Sequence, residues 1–414
     1  MDAAKQRDFA IETTRRLRAA GFEAYWAGGC VRDQLLGRMA KDYDIATDAL
    51  PEQIRDVFGR RRTLAIGAAF GVVTVLGPRG AGQIEVATFR RDDSYSDGRH
   101  PDQVTFTTAQ EDAARRDFTI NGLFYDPLND EVIDFVGGRD DLQKCIVRAI
   151  GDPAARFSED KLRMLRAVRF TANLEFTLDP ATREAIVQMA PEISVVSAER
   201  IAAEMRTMLC DTRRGQALAL LSDTGLWAAI LPGELQLPVE SAGRQTLELL
   251  DHLETNSFAA ALATSLLLSV DADQAAAIGR HWKLSNAEIE RTAWLVRNCR
   301  ALDRAAQQYW PTVQRILVHD GSRELLAILR ARVATGQADQ ADLDFVQERL
   351  SWPADRLNPP PLISGDDLIQ HGLPPGKPFR SLLHKARDAQ LLGQLTSRDQ
   401  ALEFVDRLVD QPEQ

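Results

Sequence analysis

Strand signals crowd into the first 150 residues of this sequence and then all but stop, and that division constrains the fold more than any other feature. Short β-rich runs at 23–26, 72–76, 83–88, 104–107 and 132–135 alternate with loops. After Gly151-Asp152-Pro153 the text turns to Ala-, Leu- and Arg-rich segments with a 3.6-residue period. The predicted class is α+β: a head with a mixed β-sheet and helices, then an all-α remainder. A chain of 414 residues is too long for one core. Breaks at Pro232-Gly233 and at Asn358-Pro359-Pro360-Pro361 divide the helical part, giving expected segments 1–150, 151–215, 216–355 and 356–414.

Charge and apolar patterning exclude several classes. The longest nearly apolar stretch, Phe258 to Val270, has 13 residues, against about 20 needed to span a bilayer. It reads as a buried helix, and no membrane partner is expected. The charged N-terminal residues suit neither a secretory signal nor a transit peptide, so the expected location is cytoplasmic. Cys30, Cys145, Cys210 and Cys299 lie far apart without a C-x-x-C pair; they are expected to be reduced and mostly buried. A net charge of −10 argues against a protein that coats nucleic acid through bulk positive potential. Local basic tracks remain at Arg60-Arg61-Arg62 and at Arg156, Lys161, Arg163, Arg166 and Arg169.

The densest chemistry lies in Ala27-Gly28-Gly29-Cys30-Val31-Arg32-Asp33, followed by Lys41-Asp42-Tyr43-Asp44-Ile45. A Gly-Gly turn between strand and helix lets backbone N–H groups approach a phosphate, and Arg32 can clamp its oxygens. Alone, it reads as a plain tight turn. Asp42 and Asp44 stand two apart in a strand-like run, so both carboxylates point to one face and Tyr43 and Ile45 to the other. Carboxylates that close repel unless a cation bridges them, and Mg²⁺ takes a few carboxylates plus substrate phosphates. Alone, D-x-D reads as an exposed strand edge. The combination is far more restrictive than its parts.

The string G-G-C-V-R-D … K-D-Y-D-I-A-T closely resembles the head motif of class II tRNA nucleotidyltransferases and bacterial poly(A) polymerases, in the polymerase-beta superfamily. Arg115-Arg116-Asp117-Phe118-Thr119-Ile120-Asn121 resembles the R-R-D-F-T-I-N signature of that family, in which an Arg contacts the nucleotide; Arg116 is the better placed. Glu85, in a segment that looks like the family's second head strand, is a candidate third carboxylate beside Asp42 and Asp44. The resemblance implies a polymerase-beta-like head with helical neck, body and tail, tRNA as partner, CTP and ATP as substrates and Mg²⁺ as cofactor. It implies that Asp42 and Asp44 hold the metal while Gly28, Gly29 and Arg32 hold the triphosphate.

Ser158 to Phe170 resembles the family's E-D-x-x-R motif, and this implies that Asp160 and Arg163 read the base, with Arg116, Arg166 and Arg169 assisting. Drawn as one helix with Ser158 as its cap, Asp160, Arg163 and Arg166 share about 120° of one face. Cytosine and adenine each present an amino donor beside a ring-nitrogen acceptor, which suits an accepting Asp and a donating Arg. Uracil and guanine reverse that pattern. Mispaired buried polar groups cost ~1–3 kcal/mol each, enough for discrimination of about 10². The bland alternative is a helix start with an ordinary i,i+3 ion pair. Ser197 to Met205 resembles the family's last motif, which supports the reader helix.

The member of the family is read from finer strings. Ile66 to Val75 looks like the CCA-type G-x-x-F-G-x-V, and the basic string of the poly(A) enzymes is absent. Residues 92–101 resemble the flexible head loop that accompanies A-addition. The expected activity is template-independent addition of C, C and A to the tRNA 3′ end with release of pyrophosphate. An A-adding enzyme, a poly(A) polymerase and a non-catalytic RNA-binding protein are the alternatives.

Overall fold

The structure is a computed structural model that describes residues 2–92, 104–233 and 243–410. Its head is one seven-stranded sheet in the order β3-β4-β5-β2-β1-β8-β9. The strands are β1 (Ala24–Ala27), β2 (Asp44–Thr47), β3 (Thr63–Gly67), β4 (Val72–Leu76), β5 (Gln83–Thr88), β8 (Phe124–Asp126) and β9 (Glu131–Ile133). Two further strands, β6 (Arg90–Asp92) and β7 (Val104–Phe106), form a separate antiparallel pair. Every pairing in the large sheet is antiparallel except β2 with β5, which makes it the mixed sheet expected from the sequence. The stretch resembling the flexible loop lies, past Asp92, outside the described residues.

β1 lies inside the sheet, between β2 and β8, and is apolar on both faces. Trp26 meets Tyr43 at 4.7 Å and Tyr125 at 5.5 Å between ring centroids on one side. Tyr25 meets Phe89 and Phe124 on the other. Helices α1 (Ala3–Ala19), α2 (Gly29–Leu35), α3 (Pro51–Phe58), α4 (Ala109–Ala114) and α5 (Gly138–Gln143) complete the head. The sheet has two strands that the sequence reading did not separate, β3 and β8. β8 is buried at all three positions, so it carries no alternation to betray it.

Past the head the chain is mostly helical, the all-α expectation failing among the described residues only at the two-residue strand Thr177–Leu178, which pairs in parallel with Ile146–Val147. Asp152 caps α6 (Pro153–Glu159), its carboxylate accepting from the Ala155 N–H at 3.0 Å, with Pro153 in the first turn. α7 (Leu162–Leu174), α8 (Pro180–Met189) and α9 (Ala198–Leu209) follow. The expected single helix through Ser158 is therefore two. Ser158 sits inside α6, and Asp160 has extended backbone (φ −147°, ψ 104°) at the break.

Two compact units emerge: Met1–Ala242 with His281–Leu284, and Gly243–Arg280 with Ser285–Gln414. In the first, Trp282 packs on Trp227 and donates its indole N–H to the Ile230 carbonyl at 2.7 Å. The second is helical throughout its described residues. Its helix Phe258–Leu266 is buried at every position, as its composition demands. Residues 362–405 build a core of their own, including Leu368, Ala401 and Val405. No helix among the described residues is long and apolar enough to cross a membrane. Of the four cysteines only Cys30 is fully buried; Cys145 is exposed and Cys210 and Cys299 are intermediate.

Trp26 is fully buried between β1's neighbours. Trp26→Ala is expected to cost about 3–5 kcal/mol, read as a lower urea midpoint at unchanged slope.

Candidate active site

The carboxylate face follows from sheet register. β2 and β5 run parallel with Asp44 directly beside Glu85, so two acidic side chains emerge from adjacent strands on one face. Asp42 lies just before β2, and the alternation holds: Asp42 and Asp44 are exposed while Tyr43 and Ile45 are buried. Although Asp44 keeps solvent-exposed surface, the protein packed around its carboxyl raises its pKa to about 6. Desolvation is the largest cause; the negative charge of Glu85 adds to it, Arg116 opposes it and Asp42 adds a smaller push.

The Gly-Gly turn brings the cation in. Gly28 has φ +74°, ψ −132°, a conformation open to glycine alone. A Cβ there would lie 3.2 Å from Nη1 of Arg116. Arg116 is held in turn by Asp112, which accepts from its Nε and Nη2 at 3.2 and 2.9 Å, and by the Phe124 ring beneath it. The sequence-predicted Gly28, Asp44, Glu85 and Arg116 are thus brought together. Gly29 opens α2, and its Cβ position would lie 3.7 Å from Nη2 of Arg32.

Arg32 is nearly buried. It donates to Asp33 through Nε and Nη2 and to Asn121 Oδ1 through Nη1 at 2.8 Å. Asn121 donates to Asp117 Oδ1 at 3.1 Å, and Arg166 on α7 donates to Asp117 Oδ2 at 2.6 and 2.9 Å. Arg166 also approaches Glu204 on α9 at 3.8 Å. Arg169 lies 2.6 Å from the same carboxylate, though its Nε lacks the alignment of a hydrogen bond. Burial lowers the Arg169 pKa while Glu204 opposes that. Arg32, Arg166 and Arg169 all lie against the ring of Phe170. One connected network therefore links the turn after β1 to α7.

Asp160 and Arg163 keep separate partners. Asp160 accepts from the Leu162 N–H at 3.1 Å and from Arg200 on α9 at 2.7 Å. Arg163 donates to Glu159 at 2.6 Å and to the carbonyls of Arg156 and Arg115. The expected helix face carrying Asp160, Arg163 and Arg166 is not formed, because the backbone is extended at Asp160. Sequence reasoning missed Asp117, Asn121, Arg200 and Glu204 as members of the network. The first two stood inside the quoted R-R-D-F-T-I-N string and the others inside Ser197 to Met205, so the signal was present without an assignment.

Among the described residues no three His, Cys, Asp or Glu side chains form a ready-made metal cage. An exposed, all-oxygen set with crowded negative charge fits Mg²⁺, which takes one or two carboxylates and completes its shell with water and phosphate. A cavity of about 590 Å³ near Lys5, Arg16 and Phe58 is lined by none of these residues.

A mixed sheet bearing paired acidic residues beside a glycine turn, followed by helical lobes, is the architecture of the template-independent RNA nucleotidyltransferases. Residues 24–148 match the family model of the poly A polymerase head domain, 175–235 that of a probable RNA and SrmB-binding site of polymerase A, and 252–405 that of a putative tRNA nucleotidyltransferase domain 2. The CCA-adding enzyme of Lactobacillus helveticus is 34% identical over 405 residues, 95% of each chain. That of Geobacillus stearothermophilus is 43% identical over 240 residues, 57% of this chain and 58% of the relative. The crystal structure of the Bacillus stearothermophilus CCA-adding enzyme in complex with CTP superposes with a TM-score of 0.74 at 29% identity, covering 97% of both chains. The chain belongs to the family of CCA-adding enzymes.

Asp117 is buried and its pKa is held down to about 2; desolvation, the largest influence, acts upward and is outweighed by Arg166, Asn121 and the Phe118 N–H. A carboxyl with a depressed folded pKa contributes stability that is present above its unfolded value near 4 and is lost as pH falls toward 2. Asp117→Asn is expected to cost about 2–3 kcal/mol at pH 7, with the gap from the parent closing between about pH 4 and pH 2 in urea titrations. A gap that stays constant with pH would remove the ion pair from the account.

Proposed function

We propose that this protein adds C, C and A, without a nucleic-acid template, to the 3′ end of tRNA from CTP and ATP, releasing pyrophosphate. The observation that carries the reading is the parallel register of Asp44 with Glu85 beside the Gly28 turn and Arg116. In this reading Asp42 and Asp44, with Glu85 alongside, hold Mg²⁺. When bound, the ion neutralises charge on the phosphates and lowers the barrier to attack at the α-phosphate. The chain's own residues do the positioning: the N–H groups of Gly28 and Gly29 and the guanidiniums of Arg32 and Arg116 orient the triphosphate. Asp160 accepts from the amino group of cytosine or adenine, and Arg163 donates to the adjacent ring nitrogen. Arg166 and Arg169 fix the segment that carries them.

For this role Arg163 exchanges Glu159 for the base, an exchange open to a side chain paired with an acidic neighbour on the same short stretch. We assign the head to residues 1–150, the reader segment to 151–215, and the grip on tRNA to the helical lobes at 216–355 and 356–414. The cytoplasm is the compartment this reading implies.

The test is incubation of tRNA lacking its 3′ CCA with CTP, ATP, UTP, GTP or mixtures, followed by sequencing of the products. Addition of CC with CTP alone and of CCA with CTP plus ATP supports the reading. Unlimited extension by ATP alone would make the protein a poly(A) polymerase, and A-addition only to tRNA ending in CC would restrict it to the last step.

Asp44→Asn separates chemistry from stability. Its parent carboxyl ionises near pH 4 unfolded and about 6 folded, so ionisation destabilises the fold progressively between those values and by a constant amount above them. The variant is expected to raise the melting temperature at pH 7 in EDTA and to reduce incorporation by a factor on the order of 10³.

A further inference from the structure

We propose that Arg200, on α9, is a positioning residue for base selection: it fixes the plane of the Asp160 carboxylate, and through that the preference for C and A over U and G. The inference rests on the assignment of Asp160 as the base-edge acceptor.

Asp160 stands at the break between α6 and α7, where extended backbone leaves its carboxylate without a helical turn to pack against. Two contacts replace that restraint, one on each oxygen. Oδ1 accepts from the Leu162 N–H at 3.1 Å and Oδ2 from Arg200 Nη2 at 2.7 Å. Each carboxylate oxygen offers two lone pairs, so both contacts leave acceptor capacity for a ligand while fixing the carboxylate's rotation.

The pair differs from an ordinary surface bridge. Its partners lie 40 positions apart in sequence, on different elements, and the Arg200 and Asp160 side chains are 21% and 16% exposed. One turn along α9, Glu204 takes Arg166 and Arg169. α9 thus presents a cation and an anion at i,i+4 that hold both arms of the reader segment, and Arg200 is the arm that touches the acceptor.

Recognition by an Asp acceptor depends on orientation, because the amino donors of cytosine and adenine must meet a lone pair nearly head-on. Without Arg200 the carboxylate keeps only the Leu162 N–H and turns about its last bond. Misplacement by an ångström is enough to lower turnover by large factors. The loss falls on CTP and ATP, which use the acceptor, and spares UTP and GTP, which present a carbonyl there.

The test compares Arg200→Met and Arg200→Lys with the parent, measuring kcat/KM for all four nucleotides on tRNA primers ending before C and before A. Arg200→Met is expected to lower the CTP:UTP and ATP:GTP ratios on the order of tenfold, and Arg200→Lys, which keeps a charge that reaches Asp160, to recover part of the loss. Equal loss with all four nucleotides, or unchanged ratios, overturns the proposal, since a purely structural role scales every substrate alike. If Arg200→Met does not fold, the Lys variant alone decides: a ratio equal to the parent's, with its fold intact, rejects the assignment. Asp160→Ala separates the two levels. Flattened ratios there with unchanged ratios in the Arg200 variants reject this inference alone, whereas parental ratios in Asp160→Ala reject base reading by Asp160 itself.

Discussion

The carboxylate of Asp117 ties the head of this protein to the helix that follows. One of its oxygens takes Asn121, which steadies Arg32 beside the glycine turn, and the other takes Arg166 on α7. A buried charge of this kind is tolerable only when every lone pair finds a donor. The Phe118 N–H, Asn121 and Arg166 supply them. Because the donors come from both segments, the turn and α7 cannot shift independently without exposing an unpaired ion.

The sheet serves the same end by different means. β1, an interior strand, is apolar on both faces and fixes where the chain must turn, so Gly28 falls at the edge of the aromatic layer and Arg116 lies across Phe124. Parallel pairing of β2 with β5 then sets two acidic residues side by side. Neither placement is favourable in isolation, as the raised pKa of Asp44 records. Packing energy elsewhere in the head offsets that local cost.

Much of this was legible in the residues. β4 and β5 were read with their observed bounds because Val, Thr and Ile alternate there between sharp turns. The acidic face was legible for the same reason, since period two is a local property. β8 escaped because all three of its residues are buried. The break at Asp160 escaped because Ser158-Glu159-Asp160 reads as a helix start. Asp152-Pro153 was the stronger start signal, and taking it would have left Ser158 inside the helix. The partnership of Asp160 with Arg200 spans 40 positions and has no local signature. Nor does the boundary between compact units, which falls after Ala242 and returns His281–Leu284 to the first unit.

Around Phe170, Arg32 stands with Asp33, Arg166 with Asp117 and Arg169 with Glu204. Every cation in that group already has an acidic partner. A ligand that drew on one of these cations would have to displace a partner already in place, so only the difference between old and new partners would register as affinity. Binding by exchange of that kind would be weak and readily reversed, which suits a catalyst that has to accept two cytidines and one adenosine in turn within a single round of work.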